Sequence, residues 1–177
     1  MQEFPKEKVL KEATVIFLRN AIGHNGQVLL AVKASKIGAG KWNGAGGGRE
    51  SGESREECAV RETREELGIT ALPSDLKKIA ICYFLNHKRD RTSFTVRVDM
   101  YELWNWVGTP SASAELLTPT WFPLDEIPIL GLMPADCVWL PVALRGEKII
   151  VSAEYTPYQE GLIGEVQMTS VDDFDCD

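Results

Sequence analysis

Residues 47–69, GGRESGESREECAVRETREELGI, are the stretch on which the reading of this chain turns. From Ser54 to Leu67 the run holds neither Gly nor Pro, and Ser51 or Ser54 can supply an N-cap oxygen, so it predicts a helix. At about 100° per residue, Ala59, Val60, Thr63 and Leu67 share one apolar stripe. Glu62, Glu65 and Glu66 fall at i, i+3 and i+4 on a different side, where like charges repel by roughly a few tenths of a kcal/mol per pair. A cation belongs there. Hard divalent ions take oxygen ligands, and magnesium is typically held by one or two carboxylates together with substrate phosphates and water. Upstream, Gly44-Ala45-Gly46-Gly47-Gly48 reads as a loop whose backbone can adopt positive φ and approach a ligand closely, offering carbonyls to a metal and amides to phosphate. Each piece has a plainer reading: three glutamates on a helix usually form a solvated face, and a glycine cluster is usually just a loop. Their combination, Gly47, Glu53, Arg61, Glu62, Glu65, Glu66, Gly68 and Ile69 in fixed order, is poorly explained by coincidence.

Those residues resemble the signature box of the Nudix hydrolases. The resemblance implies that Glu62, Glu65 and Glu66 bind metal ions, Mg²⁺ or alternatively Mn²⁺, with help from the carbonyl of Gly46. One glutamate would aid deprotonation of the attacking water, while Arg61 and Glu53 would pair to brace the loop against the helix. Thr63 departs from the aliphatic residue usual at its position, although its methyl can still pack. The box implies cleavage of a nucleoside diphosphate linked to another moiety, which it does not name.

Outside the box, LLAVKASKIGAGKWNGAGGG (29–48) and WFPLDEIPILGLMPADCVWLPVAL (121–144) resemble the MutT-like branch, in particular its oxidised-purine nucleoside triphosphatases (8-oxo-dGTP diphosphatases). The similarity runs from about residue 14 to 169. It implies that Asn43 hydrogen-bonds a purine, that Thr14 and Lys33 line the pocket, and that Asp136 reads the purine edge. Two departures stand out: Ala135 replaces the first of two neighbouring aspartates, and Met133 replaces a tryptophan that stacks on the base. Both should alter which base is accepted, because an unpaired buried polar edge costs roughly 1–3 kcal/mol. Glu115 resembles a remote carboxylate that completes the metal site, with its spacing displaced by one residue. Plainer readings compete here too. Asn43-Gly44 is an ordinary turn dipeptide, and Asp136, two residues after Pro134, could cap a helix. Trp121, Phe122 and Trp139 read more readily as core than as stacking residues, and of Tyr83 and Phe84 only one can face a pocket, since neighbours on a strand point oppositely.

The remaining sequence predicts an α+β fold with a mixed β-sheet sandwiched between α-helices. Strands are expected at 14–18 and 28–33 around the turn Gly23-His24-Asn25-Gly26, and at 77–85 and 93–104 around His87-Lys88-Arg89-Asp90. A second helix is expected over 134–144, kinked or cut short by Pro141, followed by a hairpin of 148–155 with 162–169. The expectation is one domain over 1–177, with its core at about 9–169 and an acidic tail, 170–177, disordered by default.

Composition narrows the class. A chain of 177 residues with 44% hydrophobic and 25% charged residues can bury a substantial core. No apolar run approaches about 18 residues, and MQEFPKEKVLK lacks a secretory segment, so no membrane span and a cytoplasmic location are expected. Cys58, Cys82, Cys137 and Cys176 form no CxxC pair and read as thiols. His24 and His87, each beside an Asn, read as loop residues and leave little for a serine-histidine hydrolase. They also leave too few ligands for an isoprenoid diphosphate isomerase of the same fold. The net charge of −7 disfavours an extended nucleic-acid surface and favours a small nucleotide neutralised by metal. A monomer or a homodimer is equally compatible. Competing substrates are dinucleoside polyphosphates, nucleotide sugars and capped RNA ends. A non-catalytic nucleotide sensor is disfavoured by the intact box.

Overall fold

Side chains alternate along extended backbone, so Ile16 and Leu18 face one way and Phe17 the other, and the layers of the molecule follow from that split. The computed structural model describes residues 9–174. Its strands are β1 (Val9–Asn20), β2 (Gln27–Lys33), β3 (Trp42–Asn43), β4 (Ala45–Gly48), β5 (Leu76–His87), β6 (Ser93–Leu103), β7 (Leu116–Pro123), β8 (Lys148–Tyr155) and β9 (Leu162–Val171). They form one mixed sheet in the order β3-β2-β1-β6-β5-β8-β9, with β4 added beside β1 and β7 beside β2. The pairs β1–β6 and β5–β8 are parallel. The expected neighbours β1–β2, β5–β6 and β8–β9 pair antiparallel.

Helix α1 (Arg55–Leu67) packs Ala59 and Leu67 against Ile16, Leu18, Leu29 and Tyr101. Helix α2 (Asp136–Ala143) packs Trp139 and Leu140 among Phe17, Val28, Leu30 and Met100. The helices therefore cover opposite faces of the sheet, which is the expected sandwich. Ser54, not Ser51, caps α1: its hydroxyl accepts the Glu57 N–H (3.1 Å), and the Glu57 carboxylate accepts the Ser54 N–H (2.7 Å). Gly68 ends the helix at φ 70°, its N–H on the Arg64 carbonyl at 3.1 Å. Thr63 is fully buried and donates its hydroxyl to the Ala59 carbonyl (2.7 Å), so the polar group is satisfied within the helix. Pro141 lies inside α2, which starts two residues later than expected and stops at Ala143.

Four readings change. The glycine run is strand β4, not a loop, and its glycines do not adopt positive φ. Close approach requires them instead: a Cβ on Gly46 would run into the Thr14 carbonyl, and one on Gly44 into the Ile16 carbonyl. Strand β7 escapes the sequence reading because Pro119 interrupts its pattern, yet it pairs with β2 from Gln27 opposite Pro123 to Lys33 opposite Leu116. Strand β9 runs to Val171, with Ser170 opposite Ile149 and Val171 opposite Lys148, so the ordered sheet takes the first residues of the expected tail. Residues 175–177 of that tail lie outside the described residues. His87 is no free loop residue either: it closes β5 with Nε2 2.6 Å from the Glu154 carboxylate. No helix among the described residues is long and apolar enough to cross a membrane.

Candidate active site

The caps of α1 and the sheet behind it determine where its glutamates stand. Arg61 forks onto Glu53 with Nε at 3.0 Å and Nη2 at 2.8 Å, and Nη2 also reaches the Gly48 carbonyl at 3.1 Å. Glu53 further accepts the Glu50 N–H at 2.7 Å. The bidentate pair ties the turn between β4 and α1 to the helix. The Arg61 hydrogen bonds hold the Glu53 carboxyl at about 2, and the same contact raises the Arg61 pKa. From its other arm, Arg61 Nη1 reaches Glu62 at 2.7 Å and Glu65 at 3.3 Å.

Glu66 is buried and accepts the Gly46 N–H at 2.7 Å. Burial pushes its carboxyl up to about 7; the Gly46 bond opposes the shift and the charge of Glu62 adds to it. Glu62 is also raised, first by burial, against the pull of Arg61 and with the charges of Glu65 and Glu115 pushing further. It lies directly on Gly47, where an added Cβ would be 2.6 Å from Glu62 Cδ. Because Gly46 turns its N–H away from β1 to Glu66, its carbonyl, on the same side of an extended backbone, also faces away from β1. Glu115 is exposed and 3.5 Å from Lys36, and its charge is felt by both Glu62 and Glu66.

This donor set fits a hard dication. Three carboxylates, those of Glu53, Glu62 and Glu65, share one guanidinium, and burial raises Glu62 and the neighbouring Glu66, so the cluster is short of positive charge. Glu62, Glu65 and Glu66 each keep one carboxylate oxygen without a hydrogen bond among the described residues. No three acidic, histidine or cysteine side chains among those residues already converge as a metal-binding group. The second oxygens are engaged by Arg61 and the Gly46 amide.

On the α2 face of the sheet a cleft of about 730 Å³, partly open to solvent, is bordered by Thr14, Lys33, Asn43, Met133 and Asp136 together. Gly46 and Gly47 border the same cleft, so β4 touches both the cleft and the α1 carboxylates. Asp136 is nearly fully buried; burial pushes its carboxyl up to about 7, opposed by the hydrogen bond from Trp139 Nε1 at 2.9 Å. It is the first residue of α2 and makes no cap, so the capping reading is not what the structure holds. Thr14 borders the cleft, yet its hydroxyl is turned to Cys58 Sγ of α1 at 3.3 Å. Asn43 Oδ1 accepts the Gly44 N–H at 2.8 Å. Of the Tyr83–Phe84 pair it is Phe84 that reaches the cleft. Trp139 is core, edge-on to Phe17, while Trp121 stacks on Trp106 and Phe122 meets Trp42 edge-on.

Sequence reasoning missed Val96, Val98 and Met100, which floor the cleft from β6. Their period of two was a usable signal once β6 was assigned. It also missed Tyr155, whose hydroxyl accepts the Ala135 N–H at 3.1 Å and so steadies the start of α2, and Gln159 beyond it.

A family model described as the NUDIX domain matches residues 9–141. The chain is 36% identical over 127 residues to the oxidized purine nucleoside triphosphate hydrolase of Danio rerio, covering 71% of this chain and 76% of that protein. It is 33% identical over 130 residues to the CTP pyrophosphohydrolase of Escherichia coli (strain K12), covering 72% of this chain and 90% of that one. A MutT protein from Bacillus halodurans shares the fold, with a TM-score of 0.69 at 23% identity over 90% of this chain and 97% of the other.

Proposed function

For a chain that belongs to the Nudix hydrolases, as the domain match over residues 9–141 establishes, we propose magnesium-dependent hydrolysis of purine nucleoside triphosphates, oxidised ones included, to monophosphate and pyrophosphate. The observation that carries this reading is β4. Gly46 and Gly47 border the cleft that holds Asn43 and Asp136, and the same two residues contact Glu66 and Glu62. A nucleotide with its base in the cleft brings its phosphates to that glycine strand and the α1 carboxylates. The triphosphatase from Danio rerio supports the purine assignment, and the CTP pyrophosphohydrolase supports release of pyrophosphate.

Each side chain then has a physical task. Asn43 and Asp136 offer hydrogen-bonding groups to the base edge over an apolar floor of Val96, Val98 and Met100. Lys33 supplies a cation between the base cleft and the phosphates. Glu53 and Arg61 hold the turn that carries Gly48, so that Glu62 and Glu65 keep their positions on α1. Glu62, Glu65, Glu66 and the Gly46 carbonyl would hold Mg²⁺, or Mn²⁺ in its place, with Glu115 at the periphery. Bound there, the ion supplies charge neutralisation for the phosphates and activation of the attacking water. The reading takes residues 1–177 as one domain, monomeric or homodimeric, acting in the cytoplasm on a small nucleotide.

The test is release of pyrophosphate and phosphate from ordinary and 8-oxo purine triphosphates, pyrimidine triphosphates, a nucleotide sugar and a dinucleoside tetraphosphate, each with Mg²⁺ and with EDTA. Metal-dependent pyrophosphate release, highest with purine triphosphates, is the expected result. A preference for CTP or for a dinucleoside polyphosphate would overturn the base assignment.

A further inference from the structure

The tip of the β5–β6 hairpin, the turn after β8 and the loop after β2 border a second hollow of about 590 Å³, partly open to solvent. Ile37, Asn86, Phe94, Pro157 and Tyr158 border it, with no carboxylate among its lining residues. It adjoins the base cleft. Ile37 borders both spaces, and Gln159, which borders the cleft, donates Nε2–H to the Oδ1 of Asn86, which borders the hollow, at 2.7 Å. Tyr158 and Gln159 stand at φ 62° and 56°, left-handed backbone that residues other than glycine keep only where their surroundings hold it. That conformation leaves one of the two residues lining each space. Around the hollow, Lys88 Nζ is 5.3 Å from the Phe94 ring centroid and the Arg89 guanidinium 5.0 Å from that of Tyr158. Neither cation makes a salt bridge among the described residues.

We propose that this hollow is a subsite for a planar aromatic substituent carried on the base of the nucleotide in the adjoining cleft. The protein would then hydrolyse nucleoside triphosphates whose base edge bears a bulky aromatic adduct. The inference rests on the base-cleft reading above. A hollow rimmed by two aromatic rings, with Lys88 and Arg89 over them, favours a flat apolar group and disfavours a cationic one, and the partition of Ile37 and the Asn86–Gln159 pair is made of side chains, which can yield where backbone cannot. The chemistry is unchanged: water attacks phosphorus, and monophosphate and pyrophosphate leave.

The experiment compares kcat/KM for dATP and dGTP with N6-benzyl-dATP, 8-benzylamino-dATP and N2-benzyl-dGTP, on the wild type, Tyr158→Ala and Phe94→Ala. At least one benzylated substrate should be within about tenfold of its parent on the wild type, the hollow receiving the group once the Ile37 and Asn86–Gln159 side chains move aside. Its ratio to the parent should fall about fivefold in each variant, the order of one lost aromatic contact. Tyr158 is 57% exposed, so its truncation leaves the fold intact should Phe94→Ala fail to fold. Every benzylated substrate more than tenfold poorer than its parent, or a ratio unchanged in Tyr158→Ala, overturns the subsite. If dATP and dGTP are themselves not hydrolysed, the base-cleft reading fails first and the subsite falls with it.

Discussion

Three neighbouring glycines should respond differently to the same methyl group, and Gly47→Ala is the informative one. The added Cβ would sit 2.6 Å from Cδ and 2.7 Å from Oε2 of Glu62, closer still to Oε1. Ordinary contact between carbon atoms is about 3.5–4.0 Å, so the carboxylate must retreat by roughly 1 Å. Because the obstacle is the end of a flexible side chain, the fold loses only about 1 kcal/mol of rotamer strain. Glu62, however, is displaced from its place beside Arg61, and if it holds the metal as proposed, a misplacement of about 1 Å costs on the order of 100-fold in rate. Gly48→Ala is the control, since nothing lies within 4 Å of its added Cβ. Gly46→Ala meets the backbone carbonyl of Thr14 instead and should lower the melting temperature as well as activity. Thermal melts and pyrophosphate release on the three purified variants separate these outcomes. Wild-type kcat in Gly47→Ala, or equal damage from Gly48→Ala, would refute the placement of Glu62 against the glycine strand.

Other expectations follow from the same geometry. Glu66→Gln keeps side-chain size and an acceptor for the Gly46 N–H but removes a buried charge that the proposed function assigns to the metal, so it should melt at or above the wild-type temperature at neutral pH and nearly abolish turnover; full turnover in the pure variant removes Glu66 from the mechanism. Arg61→Lys cannot grip both oxygens of Glu53 and should cut kcat at least about tenfold with little change in helix content by circular dichroism. Asp136→Ala should reorder the preference among nucleotides, and a uniform slowdown would mark Asp136 as structural. Asp136 also predicts a pH effect. Burial pushes its folded pKa up to about 7, above the ordinary carboxyl value, so the native state binds more protons and loses stability, on the order of 1 kcal/mol per pH unit, as pH rises from about 4 to about 7. Relative to Asp136→Asn, which can still accept from Trp139, the wild-type melting temperature should drop across that window and level off above it. A constant difference between the two from pH 4 to 8 would contradict the burial of that charge.

Much of this site could be read from the chain because its signals are local. The cap at Ser54, the stop at Gly68 and the positions of Glu62, Glu65 and Glu66 all depend on neighbours within a few residues, as does the reach of Arg61 to Glu53. Hairpin partners such as β5–β6 and β8–β9 are also adjacent in sequence, and their turns announce them. The family resemblance added Asn43 and Asp136, which no periodicity would have joined.

By itself, then, the amino-acid order determined helix α1, its charged face, the consecutive strand pairs and the family to which the chemistry belongs. Only the tertiary structure decided that the glycine run is a strand pressed on β1, that Thr14 turns its hydroxyl to Cys58, and that Pro119 is carried within β7. It also set Tyr155 beside Asn43 and Asp136 around one cleft. Those outcomes depend on which strands lie side by side across the parallel β1–β6 and β5–β8 junctions, where register is set by burial of both faces at once and a local pattern is compatible with several partners.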